Sequence, residues 1–489
     1  MIRGYDVVVV GAGVAGLSAA EALSRAGAKV AVLDRRPYVG GRAYSYVHPT
    51  LGEVVDSQHV IVECCTNLVD LAKRSGADQH LRWFDRIPFL EPAQNGAAPR
   101  LSFIGSGSLP APAHASWSFL SANMLSPGDK FSIAQSLLKF LRGYPQTDEE
   151  AFSEWIAREM PSDRAIRHFW EPLVVATLND SFERSSTKYA GQVFHELFLK
   201  SATGSRQGIP TVPLSEFYSF FARLAERQGS ELHLRASVDR ITQLADASWQ
   251  VTTSTGEEFV APNLVLAVPF DQAAKLLQTL PDAAPQRARI LPHLEHFEYG
   301  PYTTIHLWFD RPITELDQAA LLDSSIDWMF NKASIRTGEP GHSNASGHYY
   351  ELSIAASFDE LHQSREQILT NTLAELPRFF PAVRNAKLLK SGVLKEAKAT
   401  FSVLPGLDVH RPAAADPGGG MFLAGDWTRS GWPSTMEGAA RSGRLAAEAV
   451  SEACGASQRF LAPELPASGL MRWLLPASSR DTKRPITKH

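Results

Sequence analysis

The stretch YDVVVVGAGVAGLSAAEALSRAGAKVAVLD, residues 5–34, is the part of the chain from which the fold is read. Tyr5 to Val10 is a short β-branched apolar run closed by a glycine, the pattern of a strand buried on both faces of a parallel sheet. Gly11-Ala12-Gly13-Val14-Ala15-Gly16 follows, and Leu17, Ala20 and Leu23 then recur at helical spacing until Gly27 stops the helix. A second strand, Lys29 to Leu33, ends on Asp34. Strand, glycine turn, helix, strand and acid within about thirty residues make the βαβ context of a dinucleotide site. In such a unit Gly11 permits the tight turn, Gly13 lets the backbone approach a pyrophosphate, and Gly16 lets the helix pack closely on the strand. The helix N-terminus presents free N–H groups and a positive dipole end to the phosphates. Asp34 is expected to accept hydrogen bonds from a ribose hydroxyl. Arg35 and Arg36 hint at a 2′-phosphate, which Asp34 would repel. NAD and FAD stay open here, because both present an adenosine diphosphate to the same unit.

Two further segments bear on that choice. Gly40-Gly41-Arg42 comes shortly after Asp34, and near the C-terminus an apolar strand, Met421 to Ala424, runs into Gly425-Asp426. Gly431, Pro433 and Ser434 then make a turn, and a helix is predicted from about Thr435 to Ala453, with Ser434 or Thr435 as N-cap and Glu437 in its first turn. A helix aimed N-terminus first at a ligand stabilises an anion, which suits the charge of a reduced flavin around N1 and O2. Asp426 suits a ribityl or phosphate-side hydroxyl.

Composition bounds what else the protein does. At 489 residues the chain has length for about two or three domains. The 48 Lys and Arg balance 52 Asp and Glu, a formal charge of −4 with no basic stripe, so a nucleic-acid partner is not expected. Cys64, Cys65 and Cys454 are too few and odd in number for a secreted disulfide framework, and a reducing, cytoplasmic setting is expected. The adjacent Cys64 and Cys65 read as small buried hydrophobes. The N-terminus lacks the regions of a signal peptide, and no stretch has the roughly 18 uninterrupted apolar residues of a spanning helix. The expectation is a soluble or peripheral protein. No His, Cys and Asp group has metal-ligand spacing, so no metal is expected.

An N-terminal GxGxxG, an acid followed by GGR, and a C-terminal GD followed by a TMEGA helix together resemble the flavin-containing amine oxidase and phytoene desaturase superfamily. The blocks VVDSQHVIVECCTNLVDL, FWEPLVVATLND, GIPTVPLSEFY, KATFSVLPGL and FLAGDWTRSGWPSTMEGAARSG are more narrowly similar to the squalene-associated FAD-dependent desaturase group, which includes hydroxysqualene dehydroxylases. The likeness runs from about residue 5 to 455. It implies an α/β fold, with a discontinuous Rossmann-like FAD-binding domain and an inserted α+β substrate domain. It also implies FAD contacts at Gly11, Gly13, Val14, Ala15, Gly16, Asp34, Arg35, Gly41, Arg42, Val238, Gly425, Asp426, Thr435, Met436 and Ala439. Val238 sits in HLRASVDRI, where the superfamily sets a backbone pair against the adenine.

On this reading residues 1–75, 206–275 and 396–455 build the FAD domain, and 76–205 and 276–395 build the substrate domain. No second GxGxxG follows a strand, so electrons are expected from an external donor. The resemblance implies reductive dehydroxylation of hydroxysqualene, a long apolar isoprenoid, by hydride from reduced flavin. His59, Asp56 and Glu437 are the candidate catalytic groups, with His59 as acid, and Thr400, Phe401 and Ser402 are candidates for the flavin wall. Where the group often has a glycine before QH, this chain has Ser57. Desaturation of a squalene-like polyene is the alternative. Amine oxidation is disfavoured because the Pro301 to Phe309 strand, with Thr303, Thr304 and His306, lacks the lysine of amine oxidases. A non-catalytic membrane scaffold is a minor alternative.

The tail, residues 456–489, ends in GLMRWLLPASSRDTKRPITKH. That final stretch sets Leu470, Met471, Trp473, Leu474 and Leu475 beside Arg472, Arg480, Lys483, Arg484 and Lys488, with Asp481 as its one acid. That mixture is expected of an interfacial membrane contact, with SLPAPAHASWSFLSANML as a second contact or a tunnel mouth.

Overall fold

The β-branched N-terminal run becomes the middle of a parallel sheet. The computed structural model describes residues 3–94, 96–336 and 347–475. Strand Val7–Val10 is buried on both faces and pairs in parallel with Val30–Asp34 on one side and Asn263–Leu266 on the other. Glu231–Leu234 and Met421–Leu423 complete a five-stranded all-parallel sheet. Its strands therefore come from three separated parts of the chain. Tyr5 lies just before the first strand and Lys29 just before the second, one residue or two inside the bounds read from sequence.

Helix Val14–Arg25 follows the glycine turn and helix Met436–Ala453 follows Met421–Leu423, and the two lie against each other. Their contact needs glycine. A Cβ on Gly443 would stand 2.1 Å from Ala15 O and 2.9 Å from Ala19 N. Ser18 Oγ donates to Ala440 O at 2.8 Å, fixing the crossing. Both helices thereby start at the same place.

A seven-stranded sheet forms the second body. Its order is Leu388–Phe401, Tyr299–Phe309, His348–Ala355, Trp328–Asn331, Gln318–Leu321, Arg86–Glu91 and Arg100–Gly105. All pairs are antiparallel except Gln318–Leu321 with Arg86–Glu91. Helix Arg365–Glu375 covers one face over a core of Ile305, Leu307, Phe309, Leu352 and Ile368. The segment 76–205 is mainly helical but contributes Arg86–Glu91 and Arg100–Gly105 to this sheet, where they join Gln318–Leu321 from far along the chain.

Two boundaries read from sequence fall inside regular elements. The 275/276 division cuts helix Phe270–Leu277, and 395/396 cuts the 14-residue strand Leu388–Phe401. That strand starts at the outer edge of the seven-stranded sheet and ends beside Ser434, whose Oγ accepts from Phe401 N at 3.0 Å. No composition shift marks such a crossing because the hydrogen-bond ladder continues through it.

Gly443→Ala is expected to destabilise the protein by about 1–3 kcal/mol, the range for overpacking a close contact. The loss should appear as a lower midpoint in thermal unfolding followed by flavin fluorescence.

Candidate active site

The two helix starts open onto one cavity of about 690 Å³. Gly11, Gly13, Val14, Ala15, Asp34 and Arg35 line one end. Gly425, Asp426, Thr435, Met436 and Ala439 line the next part, with Gly41 and Arg42 beside them and Val238 along the side. Gly16 alone among the expected cofactor contacts lies behind the wall, packed on Gly11 O. It stands where the helix packs closely on the glycine turn and on Ala267.

The nucleotide end fits an anionic ligand on grounds of geometry. Gly11 has φ +111°, and a Cβ there would lie 2.4 Å from Ala267 O. A Cβ on Gly41, at φ +65°, would lie 2.9 Å from the Gly13 Cα. Side chains at either point would block the approach of a pyrophosphate. Helix Val14–Arg25 has no acid in its first turn, so its dipole faces the cavity unopposed. Asp34 does more than was expected of it. Its Oδ2 accepts from Ala12 N at 2.7 Å and its Oδ1 from Arg36 N at 2.8 Å, so the acid also holds the glycine turn in place.

At the other helix start Thr435 is the N-cap, with Oγ1 accepting from Gly438 N at 3.0 Å. Asp426 Oδ1 pairs with Arg42 Nη2 at 2.5 Å, and its Oδ2 accepts from Ser434 Oγ at 2.8 Å. Arg42 also donates to Ala399 O at 3.0 Å. This web ties the GGR, GD and ATFS segments into one rim.

Beyond the rim the lining turns apolar. Ile87, Leu173, Val193, Leu197, Trp328 and Phe330 form much of it, and Glu196 is paired with Lys200 at 2.9 Å. Thr400 is on the wall, where its Oγ1 accepts from Asn179 Nδ2 at 2.8 Å. Phe401 and Ser402 are buried behind it and do not line the cavity.

The three candidate catalytic residues have different fates. His59 is on the cavity wall. Its Nδ1–H donates to Ser57 O at 2.7 Å, which leaves Nε2 as the acceptor of a neutral imidazole. Burial pushes its pKa below the ordinary histidine value. Glu437 touches the cavity, but its carboxyl is occupied: Oε1 accepts from Asn67 N at 3.1 Å and Asn67 Nδ2 at 2.8 Å, and Oε2 from Leu68 N at 2.8 Å. It caps the N-terminus of helix Thr66–Ser75, whose own Cys65 offers no side-chain cap.

Asp56 is corrected outright. Its carboxylate is sealed behind the wall, 2.8 Å from Lys332 Nζ and 2.6 Å from Arg336 Nη2, and it accepts from Leu214 N at 3.2 Å. Burial opposes ionisation there, but the two cations outweigh it and hold the acid well below the usual carboxylate range. An acid so held donates no proton near neutral pH. Lys332 also reaches Glu351 at 3.1 Å and donates to Gln58 Oε1 at 2.6 Å, which braces the loop that carries His59. Lys332, Arg336 and Glu351 are far from Asp56 in sequence, and an isolated lysine in NKAS gives no sign of partnership. Among the described residues no group of His, Cys, Asp or Glu is placed to hold a metal ion.

Lys332→Met is expected to cost about 3–5 kcal/mol, because it leaves buried carboxylates underpaired. Chemical denaturation measures this, and Asp56→Asn in the same background should recover part of it.

Comparison with known proteins agrees with this geometry. The model of the family described as flavin containing amine oxidoreductase matches residues 14–451. The chain is 28% identical to a 15-cis-phytoene desaturase of Synechococcus elongatus over 91% of its length and 95% of the relative's. It is 26% identical to a zeta-carotene desaturase of Synechocystis over 91% of its length and 96% of that protein's. Among solved structures, an oxidoreductase from Methanosarcina mazei superposes with TM-score 0.69 at 16% identity, over 92% of this chain and all of that one. Cyclohexylamine oxidase from Brevibacterium oxydans superposes with TM-score 0.67 at 16% identity, over 93% of this chain and all of that one, a likeness of fold. With the glycine cradle, two converging helix starts and the Arg42–Asp426 rim, these matches make the chain an FAD-dependent oxidoreductase that belongs to the flavin-containing amine oxidoreductase family.

Proposed function

We propose that the protein desaturates a long, apolar isoprenoid polyene. The observation that carries this is a flavin cradle continuous with an apolar wall that presents the neutral imidazole of His59 to the cavity. Desaturation removes two hydrogens from adjacent carbons, one as hydride and one as proton, and leaves a new double bond. FAD supplies the hydride acceptor when bound. His59 Nε2 takes the proton, while Nδ1–H stays on Ser57 O and fixes the tautomer. Apolar side chains such as Leu173, Val193 and Phe330 hold the chain and exclude water from the charged interval. An external acceptor then removes the two electrons, in place of the donor that dehydroxylation would need. The likeness to phytoene and zeta-carotene desaturases supports the same direction.

Reductive dehydroxylation of hydroxysqualene is the second reading, favoured by one observation. The DSQH, ATLND and ATFS blocks all reach the cavity, through His59, Asn179 and Thr400. That reaction needs a proton delivered to the leaving oxygen. Asp56 is ion-paired and Glu437 caps a helix, so the proton would fall to His59 in its charged form.

The readings predict opposite pH dependence. If His59 is the base, kcat/KM rises with pH and is flat above a pKa lower than the ordinary value of about 6.5. If it is the acid, the rate falls as pH rises through that same pKa. His59→Gln should retain FAD and lose about 10²-fold or more in rate in either case. Product analysis separates them: oxidised enzyme with a polyene should bleach its flavin and give a more conjugated product. Anaerobic reduced enzyme that turns hydroxysqualene into squalene would overturn the desaturase reading.

A further inference from the structure

More than half of the large apolar side chains exposed on the described surface belong to two short segments, 109–138 and 470–473. Trp117, Phe131 and Trp473 are 78%, 73% and 77% exposed, and Leu120, Leu138 and Leu470 are more than half exposed. The segments are distant in sequence but joined in space. Leu470 N donates to Ala111 O at 2.8 Å, and Ala202 N donates to Ser468 Oγ at 2.8 Å. Met471 and Leu475 turn inward onto Ala111, with Leu141 packed beside them, while Arg472 and Trp473 turn outward.

Charge on these segments departs from the rest of the molecule. Asp129 is the one acid between residues 92 and 147, and it is buried as the partner of Ser126 in the capping box of helix Pro127–Leu137. Lys130, Lys139 and Arg142 lie in the same stretch. Arg472, exposed beside Trp473, adds a cation on the second segment. A protein of net charge −4 thus concentrates cations where it exposes its aromatic side chains.

The surface also borders the substrate half of the cavity. Phe119, on helix Ser116–Ser121, meets Phe169 edge-on at 5.7 Å, and Leu173, one helical turn after Phe169, lines the cavity wall. The helical stretch from Phe169 to Leu173 thus meets Phe119 at one end and the cavity at the other.

We propose that this surface, formed by residues 109–142 and 470–475, seats on an anionic lipid bilayer. Trp117, Leu120, Phe131, Leu138 and Trp473 enter the acyl boundary, and Lys130, Arg142 and Arg472 meet the headgroups. Binding is by partial insertion, since among the described residues no helix is long and apolar enough to cross a membrane. The seat holds for either substrate reading, and brings the cavity to the phase in which long isoprenoids dissolve.

Co-sedimentation of the full-length holoenzyme with vesicles tests this. Vesicles of phosphatidylcholine and phosphatidylglycerol should carry the protein down, and phosphatidylcholine alone should carry much less. Trp117→Ser with Phe131→Ser should lower the partition coefficient at least about tenfold, with flavin content and activity on detergent-dispersed substrate unchanged. Should that variant lose flavin, Arg142→Gln with Arg472→Gln serves, and should weaken binding several-fold to the anionic vesicles. Wild-type protein that stays in solution, or variants that sediment as wild type does, would overturn the proposal. So would light scattering that finds a dimer which the apolar double variant converts to monomer, since the surface would then seat a second copy.

Discussion

The contact between helices Val14–Arg25 and Met436–Ala453 is the constraint on which the site depends. At Gly443 the second helix rests on the backbone of the first, with no side chain between Gly443 Cα and Ala15 O. Each helix start is a place where unsatisfied N–H groups and a dipole favour negative charge. Bringing both starts to one cavity lets a single ligand use one for its pyrophosphate and the other for the charged ring of a flavin. A methyl group at the contact would press on the backbone of the first helix and push the two helices apart at this point.

A second seam holds the sheets in register. Asp56 belongs to the N-terminal part of the chain, while Lys332, Arg336 and Glu351 belong to the seven-stranded body. Buried charges are costly to desolvate, so an ion-paired group of this kind adds less to stability than its short distances suggest. Its effect is positional. Lys332 also holds Gln58, and through it the loop that presents His59 to the cavity.

The candidate site residues were legible to different depths, for a physical reason in each case. Most of the residues expected at the cofactor end line the one cavity, because a glycine turn, an acid and a helix N-terminus are local, and their chemistry follows from adjacent residues. Asp34 was expected to meet a ribose, and its bonds to Ala12 and Arg36 add a role in holding the turn. Glu437 was placed correctly at the first turn of its helix, but its partners Asn67 and Leu68 lie on another helix. Asp56 looked like a site acid because the cations that neutralise it are remote in sequence. Those cases turn on which distant group arrives, and side-chain type does not encode that.

By itself the sequence determined the βαβ unit and the C-terminal strand and helix, since each follows from hydrophobic period and glycine placement within one segment, while the flavin was implied by the resemblance of several motifs taken together. Only the tertiary structure decided that His59 faces the cavity while Asp56 does not, that Glu437 is spent as a helix cap, and that two apolar segments make one surface. The reason is the range of the forces. Turn and helix signals act over a few residues, whereas ion pairing, capping in trans and packing act between neighbours in space, and those neighbours exist only once the chain has closed on itself.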